Sequence, residues 1–402
     1  MEKTIGSNLK RNGVVAAALA LALGAGCVGM TGCAANNNGG SSDGPIEVKI
    51  TDTSCEVSAS EVPSGTVTFN ITNSGTATNE FEILAEDQLQ IISERENLTP
   101  GTTVELTVQL EPGSYYTASK TNMVGALVGA TAFTVNDSGE AVEVSDDEKE
   151  LREKAVTNYT AYIKDQAGQL IEATNEFLEV WDAGKGDLAK AKELYPTARM
   201  YYERIEPTAE SFGDIDPNLD LREKDAQAGD LDDMSKWKGW HAIEKDLWSD
   251  SGFSDKKRAK LAKELKADTQ ALYDLVYSKD FSVSLSDVSN GAIDLMEEVA
   301  TSKISGEEEA FSHTDLYDFW ANVEGAKVAY GNVKDLAKLK DADLVTKLDS
   351  AFDDVQTELE KYKSGDTYKS YEELSDSEVK TLSDKVDALR GDLADLTATI
   401  LK

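Results

Sequence analysis

The stretch SDDEKELREKAVTNYTAYIKDQAGQLIEATNEFLEVW, residues 145–181, divides the chain into two kinds of structure. Within it Leu151, Ala155, Tyr159, Tyr162, Leu170, Thr174, Phe177 and Trp181 fall on one stripe at helical spacing, as on a helix with one face turned to a core. Similar stripes recur to the C-terminus. Helix starts are marked by Asp187, by Ser254 and by the capping box Ser375-Asp376-Ser377-Glu378. The pattern predicts about eight helices packed as a bundle over residues 148–402, preceded by an acidic linker at 138–147.

Upstream of that boundary the period is two. Runs such as Ile46-Glu47-Val48-Lys49-Ile50, Val67-Thr68-Phe69-Asn70-Ile71 and Val104-Glu105-Leu106-Thr107-Val108 read as short strands. The turns between such runs are Pro63-Ser64-Gly65, Asn73-Ser74-Gly75, Pro100-Gly101 and Glu111-Pro112-Gly113, residues that supply a fixed or positive φ. This spacing predicts an all-β Greek-key sandwich over residues 45–137. Blue copper is excluded there, because such a centre needs two imidazoles beside a thiolate and residues 45–137 contain no histidine. Cys55-Glu56 on one strand and Glu80 and Glu82 on another offer either a weak hard-cation site or ordinary solvent-facing positions.

Composition narrows the function. The chain has 402 residues, long enough for two domains, and a formal net charge of −35. A field of that sign repels phosphate backbones, so nucleic acid is not a partner, and it concentrates cations. At the N-terminus Lys3, Lys10 and Arg11 precede the apolar run from Val14 to Leu23, which is the layout of a secretory signal. The run ends in small residues before Cys27 and again before Cys33, both in lipobox-like settings. Residues 1–33 are therefore read as a lipoprotein signal with Cys33, rather than Cys27, as the lipidated residue, because 34–44 reads as a flexible polar tether. The mature protein is expected in the cell envelope, held by lipid on the extracytoplasmic side of a membrane. Cys55 is then the one remaining cysteine, and no intramolecular disulfide can form.

Only two histidines occur in the whole sequence. His241 in GWHAIEKDLW, residues 239–248, is followed three positions later by Glu244; on a helix the two side chains share a face and can converge on one ion. Glu203 and Glu206 in Tyr202-Glu203-Arg204-Ile205-Glu206-Pro207 repeat that spacing, and paired carboxylates on neighbouring helices are how bundle metal sites are built. A solvated face with Arg204 nearby is the alternative for that second pair.

The stretches YYERIEPTAESFGDIDPNLDLR, GWHAIEKDLW and EEVATSKISGEEEAFSHTDLYDFWANVEGAK resemble the EfeO iron-transport proteins, whose helical domain is imelysin-like with an HxxE motif. CEVSASEVPSG and ISERENLTPG resemble the cupredoxin-like domain of the same family. The resemblance implies an iron-binding envelope lipoprotein that delivers iron to a permease, alongside a haem peroxidase of the same uptake system. It assigns His241 and Glu244 to the HxxE ligands, Glu203 and Glu206 to the paired glutamates, and Asp220 and Glu308 to further acidic positions. Carboxylate oxygens with one imidazole suit Fe2+ or Fe3+, and Zn2+ or Cu2+ as other divalent candidates. Unprotonated His241 as a ligand implies that affinity falls as pH drops through about 6.5. His313 is expected to be a cap or hydrogen-bonded structural residue.

One departure from the family stands out. Its second sandwich-domain cysteine, in a tyrosine-led TCG stretch, is replaced here by Tyr115-Tyr116-Thr117-Ala118-Ser119-Lys120, which leaves Cys55 without a partner. A second site would then rest on Cys55, Glu56 and Glu80. Two rival readings are weighed. A metallopeptidase would require His-Glu-x-x-His, which the sequence lacks. The other rival is a non-catalytic envelope module that binds a surface polymer or partner protein and holds a structural metal.

Overall fold

The computed structural model describes residues 44–402, apart from 87, 89–90, 123–126, 140–144, 182–185, 231–232, 280 and 366. The signal expected at 1–33, with Cys27 and Cys33, and the expected tether up to Asp43 lie outside the described residues. No described helix is long and apolar enough to cross a membrane.

Strands β1 (Ile46–Thr51), β2 (Ser54–Val57), β4 (Gly65–Asn73) and β7 (Thr103–Leu110) form one sheet in the order β2-β1-β4-β7. Strands β3 (Glu61–Pro63), β5 (Asn79–Leu84), β6 (Ile91–Leu98), β8 (Gly113–Thr121) and β9 (Val128–Asn136) form the other, ordered β3-β9-β8-β5-β6. The alternation read from the sequence sets the inner faces. Ile46, Val48 and Ile50 of β1 and Val67, Phe69 and Ile71 of β4 are buried with Phe81, Ile83 and Phe133 from the opposite sheet. Phe69 packs between Phe81 and Phe133, with ring centroids 5.4 and 5.7 Å away.

Cys55 belongs to this apolar core. Burial pushes its thiol pKa up to about 12, partly offset by a hydrogen bond with Ser119. Because the thiolate is the reactive species, Cys55 is expected to be inert. In a chain with Cys27 and Cys33 changed to serine, a disulfide reagent at about pH 8 should label nothing in the folded state and one thiol after guanidinium unfolding. Prompt labelling of the folded protein would contradict this placement.

The helical part comprises α1 (Asp146–Trp181), α2 (Leu188–Glu203), α3 (Ile215–Asp220), α4 (Glu223–Asp225), α5 (Trp240–Trp248), α6 (Asp255–Val276), α7 (Leu285–Thr301), α8 (Asp315–Lys340), α9 (Ala342–Glu360), α10 (Asp376–Leu393) and α11 (Leu396–Ile400). A two-stranded ribbon, β10 (Lys363–Ser364) with β11 (Thr367–Tyr368), interrupts it. Eight of the described helices are nine residues or longer, as the periodicity predicts. The α1 stripe is the buried one: Ala155, Tyr159, Leu170, Phe177 and Trp181 enter the core, and Leu151 and Tyr162 pack against it. Asp187, Ser254 and Ser375 each accept a hydrogen bond from the third residue beyond, and Ser375 with Glu378 closes the expected capping box.

The acidic linker needs correction at its end. Helix α1 begins at Asp146, and Ser145 Oγ accepts from the Glu148 amide at 3.2 Å. Carboxylates in a first turn are favoured by the exposed amides there, so this acidic run starts the helix instead of separating it from the sandwich.

Sandwich and helices are in direct contact. Arg95 on β6 forms a buried ion pair with Asp294 on α7, and Asn290 of the same helix donates to the Thr107 carbonyl at 3.0 Å. All six residues of β5 are buried, although only Phe81 and Ile83 enter the sandwich core. Alternation therefore turns Glu80 and Glu82 toward the outer face of their sheet.

Candidate metal centre

His241 and Glu244 lie on α5, and a glycine places that helix. Gly239, at its N-cap, has φ +89°, and a Cβ there would sit 2.3 Å from the Leu219 carbonyl oxygen. Only a residue without a side chain allows the start of α5 to close on the end of α3, where Asp220 stands. Glu308 and Glu309 come from the irregular segment between α7 and α8. Its shape is held by Glu244, whose Oε1 accepts from the amides of Phe311 and Ser312 at 2.8 and 2.7 Å.

These elements meet at the imidazole. His241 Nε2 lies 3.5 Å from Asp220 Oδ1 and 3.7 Å from Glu308 Oε1, while Nδ1 lies 3.5 Å from Glu244 Oε2 and 3.9 Å from Glu309 Oε1. The ring thus stands between two groups, Asp220–His241–Glu308 and His241–Glu244–Glu309, each with ligand atoms within 4.8 Å of one another. His241 is 2% exposed, and among the described residues both of its nitrogens and Glu244 Oε2 lack a hydrogen-bond partner. Buried polar atoms are ordinarily satisfied, so an imidazole with carboxylates beside both of its unpaired nitrogens fits a cation held by oxygen and nitrogen.

Among the described residues two fully buried cations sit inside this cluster, and Arg222 pairs with Glu308 at its edge at 2.9 Å. Arg199 on α2, fully buried, pairs with Asp220, with Glu203 at 2.5 Å and with Glu309 at 2.7 Å, and comes within 3.7 Å of Asp318 and 3.8 Å of Glu308. Lys303, also fully buried, holds Glu206 at 2.6 Å and lies 3.5 Å from Glu203 and 3.7 Å from Glu308.

Protonation follows that layout. Burial raises the pKa of Asp220, but Arg199 and the imidazole outweigh it and bring the group down to about 2. Glu308 is likewise held well below the usual range, burial being overcome by Lys303, Arg222 and His241. Glu309 and Asp318 go the other way, raised well above their usual values by burial and by Glu244 and Glu203 respectively. For His241, burial and Arg199 oppose the charged ring, yet Asp220, Glu244 and Glu308 outweigh them and raise its pKa well above 6.5. The proton that an incoming ion must displace is therefore held to a higher pH than the sequence reading assumed.

The structure brings together His241, Glu244, Asp220 and Glu308 among the residues singled out from sequence. It does not bring Glu203 and Glu206 to the imidazole: their carboxylates are taken by Arg199, Lys303 and Asn322. Nor does it assemble Cys55, Glu56 and Glu80. Successive strand residues face opposite sides, so Cys55 points into the core while Glu56 is exposed, and Glu80 lies on the other sheet beside Glu82 and Glu94. His313 lies away from the His241 groups; at φ +55° its amide donates to the Glu309 carbonyl at 2.8 Å and its carbonyl accepts from the Tyr371 amide at 2.9 Å.

Comparison with known proteins agrees with this architecture. The imelysin family model matches residues 155–396, and the cupredoxin-like domain model matches residues 19–128. The iron uptake system component EfeO of Yersinia pestis is 36% identical over 355 residues, 88% of this chain and 91% of the relative. The chain belongs to the EfeO family. EfeO of Escherichia coli O1:K1 is also 36% identical, over 357 residues with the same two coverages.

Sequence reading of this EfeO-family chain missed Glu309, Arg199, Lys303 and Asp318. Arg199 had a signal, since it precedes Glu203 by four residues and shares its helix face. Glu309 had only the run Glu307-Glu308-Glu309, and outside a regular helix or strand no period tells which member of a run points inward.

Proposed function

We propose that this protein captures iron in the cell envelope and passes it to a membrane permease, acting as a carrier and not as an enzyme. The observation that carries the reading is the buried imidazole, surrounded by four carboxylates, whose two nitrogens lack hydrogen-bond partners among the described residues. Asp220, His241 and Glu308 are the proposed ligands on the Nε2 side. Asp220 is the least buried of the group, 10% exposed at its side chain, and marks the entry for the ion. Glu244 and Glu309 complete the Nδ1 side. Because a neutral imidazole offers one lone pair, one side holds the ion while the other takes the ring proton and orients the ring.

Relatives named as iron uptake system components support iron as the cargo. The imelysin family is also named as a peptidase family. Peptidase chemistry is not favoured here, because the sequence has no His-Glu-x-x-His string to hold zinc and activate water. Lipid attachment at Cys33, with 34–44 as tether, would keep the carrier at the membrane beside its permease.

Crystals of the mature protein soaked with ferrous or ferric salt test the site. An anomalous peak at the iron edge is expected between His241 Nε2, Asp220 and Glu308. A fully soaked crystal with iron only at surface carboxylates would end the proposal.

A further inference from the structure

The two oxygens of Glu308 do different work. Oε1 faces the imidazole, 3.7 Å from His241 Nε2, while Oε2 accepts from Arg222 Nη1 at 2.9 Å. The guanidinium is itself oriented: its Nε donates to Asp225 Oδ2 at 2.7 Å, and Nη1 also reaches Glu298 Oε1 at 3.3 Å. Just before it, the Leu221 carbonyl accepts from the Trp237 indole at 2.7 Å, which fixes the backbone between Asp220 and Arg222. Across the ring the glutamates are divided in the same way. Glu244 Oε1 is taken by the amides of Phe311 and Ser312, and Glu309 Oε2 accepts from Ser312 Oγ at 2.8 Å. Each of the three glutamates thus turns a single oxygen toward the ring. Asp220, whose Oδ1 faces both Arg199 and the ring, can add two oxygens at most.

We propose that Arg222 determines the specificity of this centre: by occupying Glu308 Oε2 it keeps that carboxylate from holding an ion with both oxygens, and so excludes Ca2+ in favour of transition ions of the Fe2+ class. The inference rests on the carrier reading above. Arg222 acts through Glu308 and not on the ion, so it is a positioning residue. An ion at Nε2 has that nitrogen, one oxygen of Glu308 and the oxygens of Asp220, whereas calcium surrounds itself with about six to eight oxygens and readily takes both from one carboxylate. Transition ions are content with fewer ligands and gain from an imidazole that calcium does not favour. Charge works in the same direction. Arg199, Arg222 and Lys303 beside Asp220 and Glu308 cancel much of the attraction on which calcium, held by charge alone, depends. A transition ion keeps its bond to the ring nitrogen in addition. Such selection matters to an envelope carrier, because calcium outside the cytoplasm is far more abundant than iron.

Calorimetric titration of the full chain with Co2+ and with Ca2+ tests the proposal, Co2+ being a neighbour of Fe2+ in ligand preference that does not oxidise on handling. A His241→Ala chain titrated in parallel identifies the heat that belongs to this centre. The unaltered chain is expected to favour Co2+. In Arg222→Met the lost positive charge should tighten both ions, but Ca2+ by about tenfold more than Co2+, the order of effect expected of a partner that orients a ligand. Arg222→Lys keeps the charge and one donor, enough for one oxygen, and should return the ratio to within about threefold of the unaltered chain. The Arg222 side chain is 21% exposed, and those of Asp225 and Glu298 are 23% and 20% exposed, so water can take over their pairing and Arg222→Met is expected to fold. A folded Arg222→Met chain with an unchanged Co2+/Ca2+ ratio, or an unaltered chain that takes Ca2+ as tightly as Co2+, overturns the proposal. A shifted ratio in crystals that still take no iron at His241 would end the iron reading and leave Arg222 in its role.

Discussion

Changing His241 to alanine is expected to weaken iron binding by about 100-fold or more, beyond the roughly 10- to 100-fold that follows loss of a group merely supporting a ligand. The ring is the only imidazole in the cluster, and both candidate ligand groups include it. Its removal leaves Asp220 and Glu308 with their partners Arg199, Arg222 and Lys303, so the carboxylates have counter-charges and the bundle should stay folded. Glu203→Gln and Glu206→Gln provide the contrast. Their carboxylates neutralise Lys303 instead of facing the ring, and each change should alter affinity by only a few-fold. Competition against a chelator of known affinity, with circular dichroism to confirm folding, makes the comparison. Equal losses for His241→Ala and Glu206→Gln would mean that the paired glutamates bind the ion after all.

That contrast shows where sequence stops being readable. An i,i+3 spacing tells that two side chains share a face of one helix, and so His241 and Glu244 are found together. It does not tell which way that face is turned. Glu203 and Glu206 repeat the spacing, yet α2 ends at Glu203, and Glu206 opens a separate turn beside Lys303. In strands the period of two is stricter: it puts Cys55 and Glu56 on opposite faces, which reading the two as joint ligands overlooks. The apolar stripe of α1 and the caps at Ser254 and Ser375 were legible because each depends on residues within one or two turns. Arg199 and Lys303 were not, because a buried cation is explained only by the acids that other segments bring to it.

Arg199→Met is accordingly expected to be the most damaging single change in the helical domain. Methionine fills much of the same volume, so the effect isolates the charge. Asp220, Glu203 and Glu309 would each lose a close ion pair, the last two in full burial. Removing one partner from a buried ionic group costs about 3–5 kcal/mol, since the charges left behind are neither solvated nor paired. Guanidinium unfolding of the metal-free protein measures the loss, and a change below about 1 kcal/mol would mean that the carboxylates are already protonated or hydrated. The sign with pH separates these outcomes from simple misfolding. Arg199 lowers Asp220, Glu309 and Asp318 alike; without it all three move up, and burial already holds Glu309 and Asp318 well above the unfolded carboxylate range. The variant's folded form then binds protons that its unfolded form releases, so its stability should recover as pH is lowered from about 8 toward 5. A deficit that stays constant across that window would trace the damage to packing and not to charge. Iron should act in the same direction as the proton, because an ion among these carboxylates supplies the positive charge that Arg199 no longer does.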